Sequence, residues 1–367
     1  MKIAFIGGRD IRKLGGIETY MFNLCTKLVQ RGYEPIVYCE SDRHHVEYVN
    51  GFKVIYWKSP KSIYVCKIWL GLKSTLHALF VEKGVSVFHY NAWPPSLWNW
   101  IPRLFNRKSL MMGHGIEWKH TKYSNLQKRI LKFMEFVTAK INKNLVMCSE
   151  YQTCYFKDNY GRNCITIPCA INLPAKDYVP ESDILNRYSL VHGKYYLYLG
   201  RLVQVKNPDC LIKSFVKAKL SDVKLVMAGS NDVDPDYVEY LKDLGKESPD
   251  VIFTGVVYGS DKDALLANCR AFCIPSTSEG LAITLLEAMS FSKAVIASDI
   301  DGNREALGDN ALWVKAEDEE TLREQLVYSD SNVDKLYQSG LLNRCRVEEL
   351  YTWDITCDKY ISYIENL

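Results

Sequence analysis

The chain has 367 residues, of which 47% are apolar and 24% are charged, and its formal net charge is +3. This length predicts two domains of roughly 100 to 200 residues each, and the composition is that of an ordinary globular protein. The small net charge argues against a dedicated nucleic-acid-binding protein, although ten Lys or Arg against two Glu lie between residues 101 and 145.

The twelve cysteines have the spacing of neither a disulfide framework nor a zinc site. No CxxC pair occurs, and the closest pairs, Cys164 with Cys169 and Cys269 with Cys273, lack a second pair at zinc spacing. We therefore expect buried free thiols and no metal site.

The chain begins directly with an apolar strand pattern at residues 2–6, without the basic region and long apolar run of a signal peptide. Residues 63–80 are the most membrane-like segment, but Lys67, Lys73 and His77 interrupt them, whereas a spanning helix needs about 20 apolar residues. The sequence therefore predicts a cytoplasmic protein in which this segment is a buried or interfacial helix.

Short apolar runs alternate with helical patterns through the first half of the chain. The predicted strands are 2–6, 34–39, 52–57, 85–90, 109–112, 145–148 and 165–167, and the predicted helices are 16–31, 68–83 and the basic stretch 126–141. This alternation indicates a parallel sheet with helices on both faces, which is a Rossmann-like arrangement.

The second half repeats the alternation after a polar connector with two prolines near residues 172–183. The predicted strands are 195–199, 224–228, 251–253, 271–274 and 294–297, and the predicted helices are 209–218, 235–244 and 260–268. We therefore predict an α/β fold with two Rossmann-like domains facing across a cleft, the default place for a small ligand. The predicted domains are 1–175 and 185–352, and a C-terminal helix at 353–367 is expected to pack back on the first.

Two glycine pairs flank the turn between the first strand and the first helix. Gly7 and Gly8 follow the strand, and Gly15 and Gly16 precede the helix. Glycines allow a close approach of the backbone to a ligand, and free amides at a helix start favour an anion. The spacing is not GxGxxG, which disfavours a NAD site, and a tight turn required only by packing is the alternative.

Arg201 and Lys206 lie five residues apart in the loop that follows the strand at 195–199. At the carboxyl end of a strand, both side chains can turn into the cleft and bind the two charges of a diphosphate. Exposed surface cations are the alternative interpretation.

Glu279 and Glu287 stand eight residues apart across a glycine turn that follows the strand at 271–274. Amides near Gly280 and Leu281, at the start of the predicted helix, offer donors and the positive dipole end to an anion. Glu287 can reach a diol such as a ribose, and Glu279 can accept from sugar hydroxyls. The alternative is a surface loop followed by an ordinary amphipathic helix.

Taken in order, these motifs resemble the retaining GT-B glycosyltransferases of family 4 (group 1), which use nucleotide sugars. The resemblance covers nearly the whole chain and is specific only as a set. The matching features are the Gly15-Gly16 loop, His114 after a strand, Gly200-Arg201 with Lys206, Glu279 with Leu286-Glu287-Ala288-Met289, and Val295-Ile296-Ala297-Ser298-Asp299.

The resemblance implies transfer of a sugar from a nucleotide-diphosphate donor to a glycan or lipid-linked acceptor in bacterial surface polysaccharide synthesis. Arg201 and Lys206 would stabilise the departing diphosphate without a metal, Glu279 would bind the sugar hydroxyls, and His114 would lie against the sugar. A core histidine without a catalytic task is the alternative for His114. The implied donor-binding residues are Gly15, Gly16, Gly229, Val256, Gly280, Leu281, Ala282 and Glu287.

Two further segments resemble bacterial rhamnosyltransferases that act on lipid-linked oligosaccharides. They are Gly113–Lys119 and Asn303-Arg304-Glu305, and they imply dTDP-rhamnose as the donor. The segment Ser278–Leu281 departs from the Gly-rich sequence usual in that branch and suits a UDP-sugar or a GDP-sugar equally well. The donor therefore stays open between these three.

The basic stretch of the first domain combines cations with aromatic residues, as helices that lie on anionic lipid do. Such a surface would place the protein peripherally on the inner face of the membrane, and a solvated face is the alternative. The residues concerned are Lys119, Lys122, Lys128, Arg129, Lys132, Lys140 and Lys143 with Trp118, Tyr123, Phe133 and Phe136.

Two other functions fit the same architecture: a nucleotide-sugar 2-epimerase, which needs no acceptor, and a non-catalytic sugar-binding relative. The aromatic surface that includes Trp93, Trp98 and Trp100 favours a bound acceptor over the epimerase. The filled anionic, cationic and histidine positions favour an enzyme over a binding protein.

Overall fold

The computed structural model describes residues 1–12, 16–60, 63–116, 125–231 and 234–367. The described chain divides into two compact units. Unit 1 comprises Met1–Ala170 with Trp353–Leu367, and unit 2 comprises Ile171–Thr352. The connector predicted near residues 172–183 therefore belongs to unit 2, and the last helix of the chain belongs to unit 1.

Unit 1 contains an eight-stranded sheet in the order β3-β4-β2-β1-β5-β6-β7-β8. Neighbouring strands are parallel except for the hairpin of β3 and β4. The apolar runs form the strands as predicted, but the half-exposed strand β3 was missed because its residues alternate between polar and apolar. The strands are β1 (Lys2–Gly8), β2 (Glu34–Ser41), β3 (His45–Val49), β4 (Phe52–Lys58), β5 (Val85–Asn91), β6 (Lys108–Gly113), β7 (Leu145–Met147) and β8 (Ile165–Thr166).

The helices of unit 1 include several that the sequence did not predict. Ser149 caps the most polar of these by accepting a hydrogen bond from the Gln152 amide, and Gly161 ends it in the left-handed conformation. The helices are α1 (Gly16–Gln30), α2 (Ile63–Phe80), α3 (Trp93–Ser96), α4 (Trp100–Leu104), α5 (Asn125–Ile141), α6 (Glu150–Tyr160) and the C-terminal α15 (Trp353–Glu365).

Unit 2 contains a six-stranded sheet in the order β11-β10-β9-β12-β13-β14, with parallel neighbours throughout. Its strands are β9 (Tyr195–Leu199), β10 (Lys224–Ala228), β11 (Val251–Gly255), β12 (Ala271–Ile274), β13 (Ala294–Ser298) and β14 (Leu312–Val314). Its helices are α7 (Ile184–Arg187), α8 (Pro208–Ala218), α9 (Pro235–Gly245), α10 (Gly259–Asn268), α11 (Ile283–Ser290), α12 (Asp301–Leu307), α13 (Glu319–Ser331) and α14 (Val333–Leu350).

Both faces of the unit 2 sheet are buried. All five residues of β9 are buried, and consecutive residues point to opposite sides, so Leu197 joins one apolar cluster and Tyr196 the other. Burying each large apolar side chain stabilises the fold by about 1.5 to 3 kcal/mol. A parallel sheet covered on both faces confirms the predicted fold class of two Rossmann-like α/β halves.

The strand order also fixes where loops meet. Chain order reverses between β9 and β12 in unit 2, and between β1 and β5 in unit 1. At such a reversal the loops leave in opposite directions and open a crevice at the carboxyl ends of the strands, where α/β proteins bind ligands. The loops after β9 and β12 are those that carry Arg201, Lys206 and Glu279.

Candidate functional site

The loops after β9 and β12 are joined by an ion pair. Lys206 Nζ lies 2.8 Å from Glu279 Oε1, and the two side chains are 18% and 12% exposed. Ser276 Oγ donates to the same carboxylate oxygen at 2.7 Å. In the part of the chain that the structure describes, Glu279 Oε2 accepts no hydrogen bond, so this oxygen can accept from a ligand hydroxyl.

Backbone contacts hold these two loops together. The Thr277 amide and hydroxyl both donate to Val205 O, at 2.9 and 3.1 Å. On the other side, a Cβ at Gly302 would lie 2.2 Å from Gly280 O, so only glycine allows α12 to approach this closely. The charged groups therefore stand on loops that packing fixes in place.

Arg201 presents an exposed side chain beside this pair. Its carbonyl accepts from Tyr198 Oη at 2.7 Å, which fixes the backbone, and its guanidinium has no ion-pair partner among the described residues. Gly229 packs against the same loop, since a Cβ there would lie 1.8 Å from Gly200 O. Val256, which was predicted to border the nucleotide, is 50% exposed after β11.

The start of α11 follows Glu279 directly and has no side-chain cap. Ala282 is the N-cap residue in an extended conformation, and the first turn of the helix has no acidic side chain. Gly280 and Leu281 are half-buried immediately before it. The amides of this first turn can therefore donate to an anion.

Glu287 lies in the second turn of α11 and pairs with Lys262 of α10, with Oε1 2.5 Å from Nζ. The side chains are 22% and 26% exposed. Lys262 was missed by sequence reasoning, because nothing in the local pattern of α10 connects it with a residue 25 positions later. The ion pair with Lys262 orients the Glu287 carboxylate as a hydrogen-bond acceptor.

In unit 1, Gly16 begins α1 and is exposed, and a Cβ at this position would meet no atom of the described residues within 4 Å. Gly15, which was predicted to act with it, lies outside the described residues. Glu18, in the first turn of the same helix, is buried and accepts from the Arg9 amide at 3.0 Å. This carboxylate ties α1 to the residue that follows β1.

His114 follows β6 and is half-buried. Its Nε2 lies 3.0 Å from Oδ1 of Asn91, the last residue of β5, and its ring packs edge-on against Tyr20 with centroids 4.9 Å apart. Hydrogen bonds with Cys148 and with His114 lower the pKa of Cys169 to about 5. Sequence reasoning missed Asn91, which ends the strand beside β6, and Cys169, which follows β8, two strands away from β6.

The basic surface predicted in unit 1 is only partly described. Trp118, Lys119, Lys122 and Tyr123 lie outside the described residues, whereas α5 carries the remaining cations except Lys143, which follows it. Leu126, Ile130 and Phe133 of this helix are 68%, 51% and 65% exposed. Over the described ranges, no helix is both long enough and apolar enough to cross a membrane.

The cysteines were predicted to be buried free thiols. All twelve cysteines are free, and eight are buried. The described part of the chain has no group of three or more His, Cys, Asp or Glu that could hold a metal ion.

Two family profiles match the chain, one for each half. Residues 14–174 match Glycosyltransferase Family 4, and residues 188–329 match Glycosyl transferases group 1. These two matches together span most of the sequence.

Individual proteins are similar as well. The O-antigen chain mannosyltransferase B of Escherichia coli is 26% identical over 163 residues, which are 42% of this chain and 43% of that protein. The N-acetylgalactosamine-N,N'-diacetylbacillosaminyl-diphospho-undecaprenol 4-alpha-N-acetylgalactosaminyltransferase of Campylobacter jejuni is 28% identical over 158 residues, 42% of each chain. The matched segments thus span about two fifths of these relatives.

A solved structure resembles the whole chain. The structure of Anabaena HepE in complex with UDP and glucose has a TM-score of 0.78 and is 17% identical, with both chains covered completely. At this identity the likeness shows the fold, which is GT-B.

Proposed function

The chain belongs to the group 1, family 4 glycosyltransferases with the GT-B fold, and from this premise we propose that it moves a sugar from a nucleoside-diphosphate donor to a glycan or lipid-linked acceptor. The observation that carries the proposal is the charged cluster at the β9/β12 switch point. There the exposed Arg201, the Lys206–Glu279 pair and the uncapped start of α11 meet. Two cations and free helix amides suit a diphosphate, and a carboxylate oxygen without a partner suits a sugar hydroxyl.

In the proposed reaction, the bond between the anomeric carbon and the diphosphate oxygen breaks while the acceptor oxygen bonds to that carbon on the same face. The acceptor proton passes to the leaving phosphate oxygen, so the anomeric configuration is retained. Negative charge grows on the phosphate, where Arg201 and Lys206 stabilise it. Glu279 and Glu287 hold the sugar and the ribose, and His114 contacts the sugar near the reacting carbon.

Two of the similar proteins support the proposed classes of donor and acceptor. The Anabaena neighbour holds UDP and glucose, and the Campylobacter relative acts on a diphospho-undecaprenol acceptor. We propose a UDP-, dTDP- or GDP-sugar, with dTDP-rhamnose among the candidates, and a lipid-linked acceptor in surface polysaccharide synthesis. Nucleotide release that requires no acceptor would instead favour the 2-epimerase.

The proposal is tested by a thermal-shift screen against UDP-, GDP-, dTDP- and ADP-sugars, including dTDP-rhamnose. A ligand that binds the folded state raises the melting temperature, by an amount equivalent to about 2.7 kcal/mol at one hundred times its Kd. We expect one nucleotide class to raise it selectively. A melting temperature that no nucleotide sugar changes would contradict the proposal.

We also propose that the transfer needs no metal, because Arg201 and Lys206 supply the positive charge at the phosphate. Addition of EDTA is expected to leave the transfer rate unchanged. The measurement is the initial rate with and without EDTA, followed by addition of Mg²⁺ or Mn²⁺. A complete loss that the added metal restores would contradict metal independence.

Helix α5 is proposed as the surface that meets anionic lipid. Its exposed Leu126, Ile130 and Phe133 can enter the interface while neighbouring cations meet the headgroups, at about 1 kcal/mol for each cation. Replacing Lys128, Arg129 and Lys132 with Gln is therefore expected to weaken flotation with phosphatidylserine-containing vesicles roughly 100-fold. The control is a variant in which three exposed lysines of unit 2, Lys219, Lys242 and Lys246, are replaced with Gln. Equal flotation of both triple variants would remove the idea.

A further inference from the structure

A chain of polar groups runs from His114 into the buried interior of unit 1. His114 Nε2 lies 3.0 Å from Asn91 Oδ1, and His89 Nε2 lies 3.2 Å from the same oxygen. His89 Nδ1 lies 2.9 Å from Tyr360 Oη, which belongs to α15. His89, Asn91 and Tyr360 are fully buried, so the half-buried His114 is the end of the chain that a ligand can reach.

The hydrogen bonds assign the protons. The side-chain carbonyl oxygen of Asn91 can only accept, and its amide group faces Ile6 O at 3.5 Å, so both histidines must carry hydrogen on Nε2. Burial lowers the pKa of His89 to about 3, which keeps this ring neutral. Its Nδ1 is then free of hydrogen and accepts from the Tyr360 hydroxyl.

The surroundings leave these groups little freedom. A Cβ at Gly7 would lie 2.6 Å from Asn91 O, so β1 and β5 touch at this point. The His89 ring stacks on Phe5 with centroids 4.6 Å apart. Because Gly7 and His89, which both contact Asn91, are held by packing, the position of the Asn91 Oδ1 is fixed as well.

We propose that Asn91 is a positioning residue that holds His114 in the Nε2-protonated tautomer and in one ring orientation. The hydrogen bonds of His89 with Asn91 and with Tyr360 hold Asn91 in place. In the ring with one hydrogen, Nδ1 is then the nitrogen without it, and only the doubly protonated ring can donate to the Cys169 thiolate as well. The catalytic consequence rests on the proposed function, in which His114 contacts the donor sugar. The tautomer itself does not depend on that function.

Among the residues that the structure describes, the titratable groups near His114 include Cys169, Tyr20 and His89, with Cys148 next to Cys169. Asn91 contributes no charge to this set. An Asn91→Asp substitution keeps an accepting oxygen and adds a negative charge beside the His114 ring.

The test is ¹⁵N NMR of the imidazole nitrogens at a pH where His114 is neutral, with the His114→Gln protein to assign its signals. The wild-type protein is expected to show His114 with hydrogen on Nε2, and Asn91→Ala a mixture of both tautomers. Tyr360→Phe keeps the ring packing and removes the hydroxyl, so it is expected to change the His89 signals more than the His114 signals. His192, an exposed histidine of unit 2, serves as the internal reference.

Kinetics supply the second readout. Asn91→Ala is expected to lower kcat about 10-fold or more with a smaller change in donor KM, and Asn91→Asp to restore part of kcat with its pH profile shifted to higher pH. If wild-type His114 carries its hydrogen on Nδ1, or if Asn91→Ala leaves the tautomer unchanged, the inference is wrong whatever the activity. If no sugar transfer is found with the expected tautomer present, the proposed function fails and the positioning role of Asn91 stands.

Discussion

The two units place polar residues at the same topological position, the carboxyl ends of strands beside a chain reversal, but with opposite electrostatic character. In unit 2 the residues are partly exposed ions, Arg201 and the pair Lys206–Glu279, and the pair Lys262–Glu287 joins helices α10 and α11. In unit 1 the strand β5 carries His89 and Asn91, which are fully buried together with Tyr360 of α15. The position is set by the fold, whereas the chemistry is set by the side chains.

The difference has a physical cause in burial. An ion at a fully buried position costs several kcal/mol unless it is paired, which is why His89 is neutral there. Part-exposed ions keep enough solvation to exchange one partner for another, so Lys206 can turn from Glu279 to an incoming phosphate. A charged ligand therefore suits the loops of unit 2, and an uncharged group such as a sugar suits His114.

The largest effect is expected from Lys206→Ala, which removes a positive charge at the point where the leaving phosphate gains negative charge in the proposed reaction. Loss of one preorganised electrostatic contact typically lowers kcat about 100- to 1,000-fold. The measurement is the steady-state rate of sugar transfer, with circular dichroism to show that the variant folds. Lys217→Ala is the matched control, since Lys217 of α8 is 57% exposed and pairs with Glu319 of α13. Transfer by Lys206→Ala at the native rate would show that the site is assigned wrongly.

The fold was predictable because the apolar runs that form buried strands can be recognised from neighbouring residues in the sequence. The buried strands β9 and β13 are continuous apolar runs in the sequence, and both appear where expected. The half-exposed strand β3 and the polar helix α6 were missed, because their patterns are weak and tertiary contacts or capping decide them.

The site was predictable only in part. The candidate residues Arg201, Lys206 and Glu279 could be placed on loops because the end of a predicted strand predicts a loop. Ser276 as the partner of Glu279, and Lys262 as the partner of Glu287, could not be assigned. Such partners depend on which loops the sheet brings together, and strand order is not a local property of sequence. The same holds for Asn91, which meets His114 only because β5 and β6 are neighbours.

A smaller effect is expected from Glu287→Gln, which keeps the shape of the side chain and removes its charge. A hydrogen bond to a charged group contributes about 1.5 to 3 kcal/mol, so donor KM should rise roughly 10- to 100-fold with kcat nearly unchanged. The readout is the KM for the donor that the thermal-shift screen selects. A fall in kcat at constant KM would mean that Glu287 acts in the transition state rather than on the ribose.

The smallest effects concern two glycines, one in each unit. Gly302→Ala is expected to lower the free energy of unfolding by about 1 to 3 kcal/mol, because the added methyl group overlaps Gly280 O. The methyl group of Gly16→Ala meets no atom of the described residues within 4 Å and should leave stability unchanged, while it weakens donor binding if the phosphate approaches Gly16. Urea unfolding and donor KM separate the two effects. Equal stability losses at both positions would remove this contrast.

The central claim is that the cations of unit 2 bind the diphosphate, and calorimetric titration of UDP, dTDP and GDP into the wild-type and Arg201→Ala proteins tests it most directly. The account predicts that at least one of these nucleotides binds the wild-type protein. Its Kd should rise about 10- to 100-fold in Arg201→Ala, as expected for a charge-assisted hydrogen bond, and stay within twofold in Lys217→Ala. An unchanged Kd in Arg201→Ala, or binding of none of the three to the wild-type protein, would contradict the account.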